Sequence, residues 1–136
     1  MTDRIRTRDD LRVLVCPPDG PVLRNDRDAA DVLGEAFGED AALVVLPVQR
    51  LDPGFFTLAT GIAGAIVQKF AQYGLRLVIR GDVSEYLAGS STFSAFVREA
   101  DRGHQLWFVA DDAEFRARLA SRGLNAIELV TPRQQN

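Results

Sequence analysis

Cysteine and histidine are scarce in this chain. Cys16 is the only cysteine and His104 the only histidine among 136 residues. A lone cysteine cannot form a disulfide within the chain, which is typical of proteins in a reducing compartment. A lone histidine without neighbouring cysteines or carboxylates lacks the spacing of a metal site. We therefore expect a cytoplasmic protein, and the sequence predicts no metal and no other cofactor.

Clustered positive charge and long apolar runs are missing too. The 16 basic and 19 acidic residues are interspersed, and the net charge is −3. Nucleic-acid-binding faces need clustered lysine and arginine to neutralise phosphates. The longest apolar run, residues 61–67, is far too short to cross a bilayer, and no apolar stretch of signal-peptide length follows the N-terminus. We expect no nucleic-acid partner and no membrane association.

The remaining composition is that of an ordinary globular domain. Hydrophobic residues make up 46% of the chain and charged residues 26%. A chain of this length can bury a core without disulfides or metals. We expect a single domain over residues 1–136, with flexible polar ends at 1–10 and 131–136.

Apolar runs and helical periodicity alternate along the chain. A strand at 11–16, a turn at 17–20 and a short apolar run at 22–23 predict an N-terminal hairpin. Helices are predicted at 26–37, from 55 or 57 to 73, after Ser90 or Ser91, and after Asp111. Further strands are predicted at 41–47, 75–80, 105–110 and 124–130. Strands that alternate with helices favour a mostly parallel sheet packed with helices, an α/β fold.

This order resembles the STAS fold of bacterial anti-sigma-factor antagonists, in which a hairpin leads into alternating helices and strands. That family carries a phosphorylatable Ser or Thr before a Gly at the start of a helix. Thr60 and Gly61 match this pair, whereas Leu58 stands where the family has Asp. The resemblance implies a STAS-like domain with a modifiable hydroxyl at Thr60.

A second resemblance covers residues 44–119. The sequence is similar to the uncharacterised bacterial family called domain of unknown function 4180, which implies a bacterial source but no particular activity. The matching motifs are Leu51-Asp52-Pro53, Phe55-Phe56, Thr60-Gly61, Ala63-Gly64, Gln68-Lys69-Phe70, Gly81-Asp82 and Gly103 before Phe108-Val109. Ala65 stands where that family has Glu.

Thr60 and Gly61 form the first candidate site. A hydroxyl followed by glycine at a helix N-terminus can bind an anion or be phosphorylated. Alternatively, Thr60 only caps the helix, and Gly61 and Gly64 allow the helix to pack closely on the sheet.

The other candidates lie further along the chain. Gln68 and Lys69, the only lysine, project away from the core and either contact a partner or are solvated. Asp82 follows a strand, at the edge of a parallel sheet where ligands bind, and is either a general base or a turn residue. Ser91, next to Ser90, supplies a hydroxyl near that edge or caps a helix.

Two classes of function follow from these candidates. The first is a non-catalytic regulatory module that binds a protein partner or a small ligand, or forms a homodimer, through Thr60, Gly61 and the residues after them. The second is a small enzyme or biosynthetic accessory protein with its site at the strand ends around Asp82. The sequence contains no phosphate-binding loop, dinucleotide fingerprint or nucleophile elbow that would identify a particular reaction.

Overall fold

The computed structural model describes residues 10–130 of the chain, and the side chains of residues 11–124. The five strands are β1 (Asp10–Val15), β2 (Leu43–Pro47), β3 (Arg76–Arg80), β4 (Leu106–Val109) and β5 (Asn125–Val130). The α-helices are α1 (Asp26–Gly38), α2 (Ile62–Gln72), α3 (Ser84–Gly89), α4 (Ser91–Arg102) and α5 (Asp112–Ser121). The strands form one sheet in the order β4-β3-β2-β1-β5, and every pairing is parallel. The predicted α/β fold with a parallel sheet is confirmed.

Helices cover both faces of the sheet. Each step from β1 to β4 moves one strand in the same direction, and right-handed crossovers place the connecting helices on one face. A core there joins Leu33 of α1, Phe70 of α2 and Phe93 of α4 to alternate strand residues. After β4 the chain crosses back to β5, and Phe115 of α5 packs in a second core on the other face. Strand β2 is buried along its whole length because it lies between these two layers.

The predicted N-terminal hairpin is wrong. Both edges of β1 are occupied by parallel partners, β2 and β5, so no edge is left for an antiparallel strand. The run at 22–23 instead contributes an isolated parallel bridge between Leu23 and Leu51. The hairpin was the feature that suggested a STAS-like fold, and the strands described here contain no antiparallel pair.

Helix α2 begins later than predicted. Residues 53–60 form two short 3-10 turns, and the α-helix starts at Ile62, after Gly61 with a φ of 81°. The short helix α3 was not predicted. The helices after Ser90 and Asp111 were predicted correctly, since both residues cap a helix with their side chains. Residues 1–9 and 131–136 of the predicted flexible ends lie outside the described residues, and Asp10 belongs to β1.

Within residues 10–130, no helix has the length and apolar character needed to cross a membrane.

Candidate functional site

The loops that follow the parallel strands meet at one edge of the sheet. In open α/β sheets, ligands bind outside the carboxyl ends of the strands. Two clefts lie at this edge. One follows β3 and β4 and is called the Asp82 cleft; the other follows β1 and is called the Arg50 pocket.

The Asp82 cleft lies at the topological switch point of the sheet. The chain leaves β3 toward α3 and α4 on one face and leaves β4 toward α5 on the other, so the two loops diverge. The cleft has a volume of about 280 Å³. Its lining residues are Gly81, Asp82, Val83, Ser84, Leu87, Val97, Asp101, Phe108, Val109, Ala110, Glu114 and Arg118.

Three carboxylates and one basic group, Arg118, line the Asp82 cleft, and Arg118 lies next to two of the carboxylates. Arg118 Nη1 lies 3.3 Å from Asp101 Oδ1, and Arg118 Nη2 lies 4.0 Å from Glu114 Oε2. The same two carboxylates also accept backbone N–H groups, Asp101 from Phe108 at 3.0 Å and Glu114 from Ala110 at 2.6 Å. These groups therefore serve to join α4, β4 and α5, and they need no ligand to satisfy them.

Asp82 itself is held by its own turn. Its Oδ1 accepts the backbone N–H of Ser84 at 2.9 Å. Hydrogen bonds from the Ser84 hydroxyl and the Ser84 backbone N–H lower the pKa of Asp82. A carboxylate with a lowered pKa is a weaker base at neutral pH, which disfavours proton abstraction by Asp82.

The Arg50 pocket lies beyond the end of β1, between the following loop and α1. Its volume is about 380 Å³, larger than that of the Asp82 cleft. It is lined by Cys16, Pro17, Gly20, Pro21, Asp31, Val32, Glu35 and Arg50. A neighbouring cleft of about 230 Å³ shares Pro21, Asp31, Val32 and Arg50 with it.

Arg50 is the only charged or polar residue that is buried among the described side chains, with 6% of its surface exposed. Its Nη1 donates to the carbonyl of Pro17 at 2.9 Å, and its Nε donates to the carbonyl of Pro21. No carboxylate among residues 11–124 lies within 4.0 Å of it, and no atom of those residues accepts a hydrogen bond from Nη2. A buried charge without a counter-charge is costly, so this guanidinium is suited to an anion that enters the pocket.

Cys16 lines the same pocket but is not a reactive thiol. It is almost fully buried, and burial raises its pKa to about 11, although nearby Arg50 acts in the opposite direction. The thiol is therefore protonated at neutral pH, and the thiolate is the nucleophilic form. Cys16 contributes apolar surface to the pocket.

Thr60 is exposed at the start of α2, as the anion or modification hypothesis requires. Its Oγ1 donates to the carbonyl oxygen of Gly54 at 2.7 Å and accepts the N–H of Ile62, the first residue of α2, at 3.2 Å. The interpretation of Gly61 and Gly64 as close packing sites is wrong, because a Cβ added to either would meet nothing within 4 Å. Gly61 instead supplies the positive φ that joins the 3-10 turn to α2.

The other predicted residues are spread over the surface. Gln68 is exposed, and the Lys69 ammonium lies 5.7 Å from the centre of the Tyr73 ring. Ser91 is exposed at the first position of α4, after the capping residue Ser90. Of the six predicted site residues, Asp82 lines the Asp82 cleft and none lines the Arg50 pocket.

Sequence reasoning missed Arg50. It ends a short 3-10 turn, Val48–Arg50, directly after the buried strand β2. Its place at the carboxyl end of a strand was a usable signal. An arginine beside the turn at 51–54 has the pattern of a solvated loop residue, however, and its burial depends on a loop 29 to 33 residues earlier.

The comparison with known proteins identifies a family but no relative of known function. No curated protein and no solved structure matches the chain. The family model described as "Domain of unknown function (DUF4180)" matches residues 8–119, from β1 to Leu119 in α5, and thus includes both clefts. The chain belongs to the DUF4180 family.

Proposed function

We propose that this protein is a cytoplasmic, non-catalytic regulatory module that binds a small, anion-bearing ligand in the Arg50 pocket. The observation that carries the proposal is the buried guanidinium of Arg50, whose hydrogen-bond partners among residues 11–124 are two backbone carbonyls. Arginine offers a planar fork that matches carboxylate and phosphate groups. No atom of residues 11–124 accepts a hydrogen bond from Nη2, and Nη1 has a second proton, so both nitrogens can donate to such a ligand.

The neighbours of Arg50 and Arg118 favour the Arg50 pocket over the Asp82 cleft as an anion-binding site. Arg118 already has two carboxylate neighbours, whereas Arg50 has none within ion-pair distance among residues 11–124. An anion that enters the Arg50 pocket gains a charge-assisted interaction, and one that enters the Asp82 cleft must compete with Asp101 and Glu114. The volume of about 380 Å³ suits a small molecule, since ligand pockets start at about 300 Å³.

Binding is favoured over catalysis by the chemistry of the lining residues. The Cys16 thiol has a pKa of about 11, and the pKa of Asp82 is lowered. Neither cleft is lined by a histidine, the commonest general base. The second hypothesis, a small enzyme with its site around Asp82, therefore has less support than a ligand-binding module.

To test the proposal, a panel of amino acids, simple carboxylates and inorganic phosphate is added, one compound at a time, to isotope-labelled protein. Binding is detected by NMR. We expect at least one panel member to shift the backbone signals of Gly20 and Arg50. Arg50→Gln removes the charge but keeps an amide that can donate to a carbonyl, and it should weaken binding by about 10-fold or more. Arg118→Gln, in the other cleft, is the matched control and should leave the affinity unchanged.

Two results would overturn the proposal. One is a panel in which no member shifts these signals. The other is a ligand that binds Arg50→Gln as tightly as the unmodified protein. The dispersion of the NMR spectrum shows in each case whether the variant is folded.

A further inference from the structure

Gly20 lies closer to Arg50 than a residue with a side chain could. A Cβ at this position would lie 2.6 Å from both Cζ and Nη1 of Arg50 and 3.0 Å from its Nε. Gly20 is not among the glycines with a positive φ, so a left-handed backbone conformation is not the reason for glycine here. The space that a side chain would need at position 20 is occupied by the Arg50 guanidinium.

The contact at Gly20 differs from the one at Gly81. A Cβ at Gly81 would meet Val48, which packs against the core, whereas the three atoms nearest to a Cβ at Gly20 all belong to the Arg50 guanidinium. The guanidinium is the end of a flexible side chain, and the cavity of about 380 Å³ that it lines gives it room to move. A methyl group at position 20 would therefore displace the guanidinium while the loop keeps its fold.

The two carbonyl bonds of Arg50 determine which of its donors a ligand can reach. Nε has one proton, which it donates to the carbonyl of Pro21, and Nη1 donates one of its two protons to the carbonyl of Pro17. The donors that remain are the second proton of Nη1 and both protons of Nη2. A ligand that contacts two nitrogens at once is therefore held by Nη1 and Nη2.

We propose, on the basis of the function proposed above, that Gly20 is a positioning residue of the Arg50 pocket. Its lack of a side chain allows the guanidinium to lie against residues 17–21, where the two carbonyls leave Nη1 and Nη2 to the ligand. Two donors side by side match an anionic group with two oxygens, as in a carboxylate or a phosphate. The pocket selects such a group, and Gly20 determines this selectivity through Arg50.

Gly20→Ala tests the positioning role, by NMR on the full chain. Because the methyl group displaces the guanidinium, the Nε–H of Arg50 should exchange with solvent faster. The affinity for the panel member that binds the unmodified protein best should fall by about 10-fold or more. Arg50→Gln lacks the guanidinium and so identifies the Nε–H signal. Gly34→Ala in α1 is the matched control and should change neither quantity, because an added Cβ there would meet nothing within 4 Å.

Arg50→Lys tests the two-nitrogen contact without a change at position 20. Lysine keeps the positive charge but offers one nitrogen in place of the planar fork. It should weaken the binding of the same ligand by about 10-fold or more. This variant keeps Gly20, so its result does not depend on the folding of Gly20→Ala.

The outcomes separate this inference from the proposed function. The positioning role is overturned if binding depends on Arg50 but Gly20→Ala leaves the affinity or the Nε–H exchange unchanged, or if Gly20→Ala unfolds the protein. An unchanged affinity in Arg50→Lys overturns the selection by two nitrogens. The ligand-binding function stands in each of these cases. If no panel member binds, or if Arg50→Gln binds as tightly as the unmodified protein, the proposed function fails and this inference fails with it.

Discussion

Among the glycines of residues 10–130, Gly81 is the one that combines a positive φ with a steric clash for an added Cβ. It follows β3 with a φ of 147°, a conformation that side-chain-bearing residues rarely adopt. A Cβ there would lie 2.6 Å from Cγ2 and 2.8 Å from Cβ of Val48. Val48 starts the turn after β2 and packs against the core, so it cannot swing into solvent without loss of buried surface.

The cost of Gly81→Ala follows from two separate effects. The strained backbone conformation costs about 1–3 kcal/mol. Forcing a methyl group against Val48 costs about 1–3 kcal/mol more. The sum is about 2–6 kcal/mol. This is a large part of the free energy of unfolding of a typical domain, which is about 5–15 kcal/mol. We expect a protein that still folds but unfolds at a much lower urea concentration.

Gly64→Ala provides the matched control for this change. Gly64 lies inside α2, and an added Cβ would meet nothing within 4 Å. Alanine at a helical position should therefore stabilise the protein by about 0.5–1 kcal/mol. The free energies of unfolding of both variants and of the unmodified chain are measured in urea, with circular dichroism as the signal. The steric argument is refuted if Gly81→Ala lies within about 0.5 kcal/mol of the unmodified protein, or if Gly64→Ala is the more destabilised of the two.

Three further changes test the core, the Thr60 hydroxyl and the buried thiol. Phe93→Ala removes a fully buried ring that contacts the rings of Phe56 and Phe108. It should lower the free energy of unfolding in urea by about 3–5 kcal/mol. Phe37→Ala is the control and should change that free energy little, because Phe37 is 52% exposed. Thr60→Val removes the hydroxyl that bonds the carbonyl of Gly54 and the N–H of Ile62, and it should lower the melting temperature by about 2–8 °C. An unchanged melting temperature would show that these hydrogen bonds do not stabilise the protein. Because burial raises the pKa of Cys16 from 9.0 to about 11, the unfolded thiol ionises first as the pH rises, and the free energy of unfolding should fall between about pH 9 and 11. Cys16→Ala should abolish that part of the pH dependence, and the same slope in both proteins would show that burial of the thiol is not its cause.

Local signals made three helices predictable. Asn25, Ser90 and Asp111 each accept a backbone N–H from the residue three positions later, as helix caps do. The glycines after α2 and α5 mark the ends of these helices because both have a positive φ. Such signals depend on a few neighbouring residues, so the sequence contains all of the information needed.

Pairing between distant segments was not predictable in the same way. The turn at 17–20 has the composition of a hairpin turn, yet the chain after it meets Leu51 and not β1. Whether β1 has a free edge depends on β2 and on β5, which follows more than 100 residues later. The hairpin was predicted from the local turn alone, which does not show that β2 and β5 occupy both edges of β1.

The position of Asp82 at the carboxyl edge of the sheet could be predicted from the sequence, but the burial of Arg50 at that edge could not. The carboxyl edge of the sheet was expected from the alternation of strands and helices, and Asp82 lies there as expected. Arg50 lies at the same edge, but its burial needs the loop after β1, the turn after β2 and helix α1 to converge. The pattern of apolar residues within one segment cannot predict that three distant segments converge in this way.

Stability alone gives no reason for a positive charge at position 50. The carbonyls of Pro17 and Pro21 are the groups that Arg50 satisfies, and a neutral amide donor could reach a carbonyl without the desolvation of a charge. Buried ionic groups are often replaced by neutral side chains of similar volume without loss of stability. The Asp82 cleft shows the arrangement in which a charge does join elements of the fold, since Arg118 lies between carboxylates of α4 and α5. Arg50 joins the turn after β2 to the loop after β1 without a carboxylate within 4.0 Å among residues 11–124, and under the proposed function its charge pairs with the anionic group of the ligand.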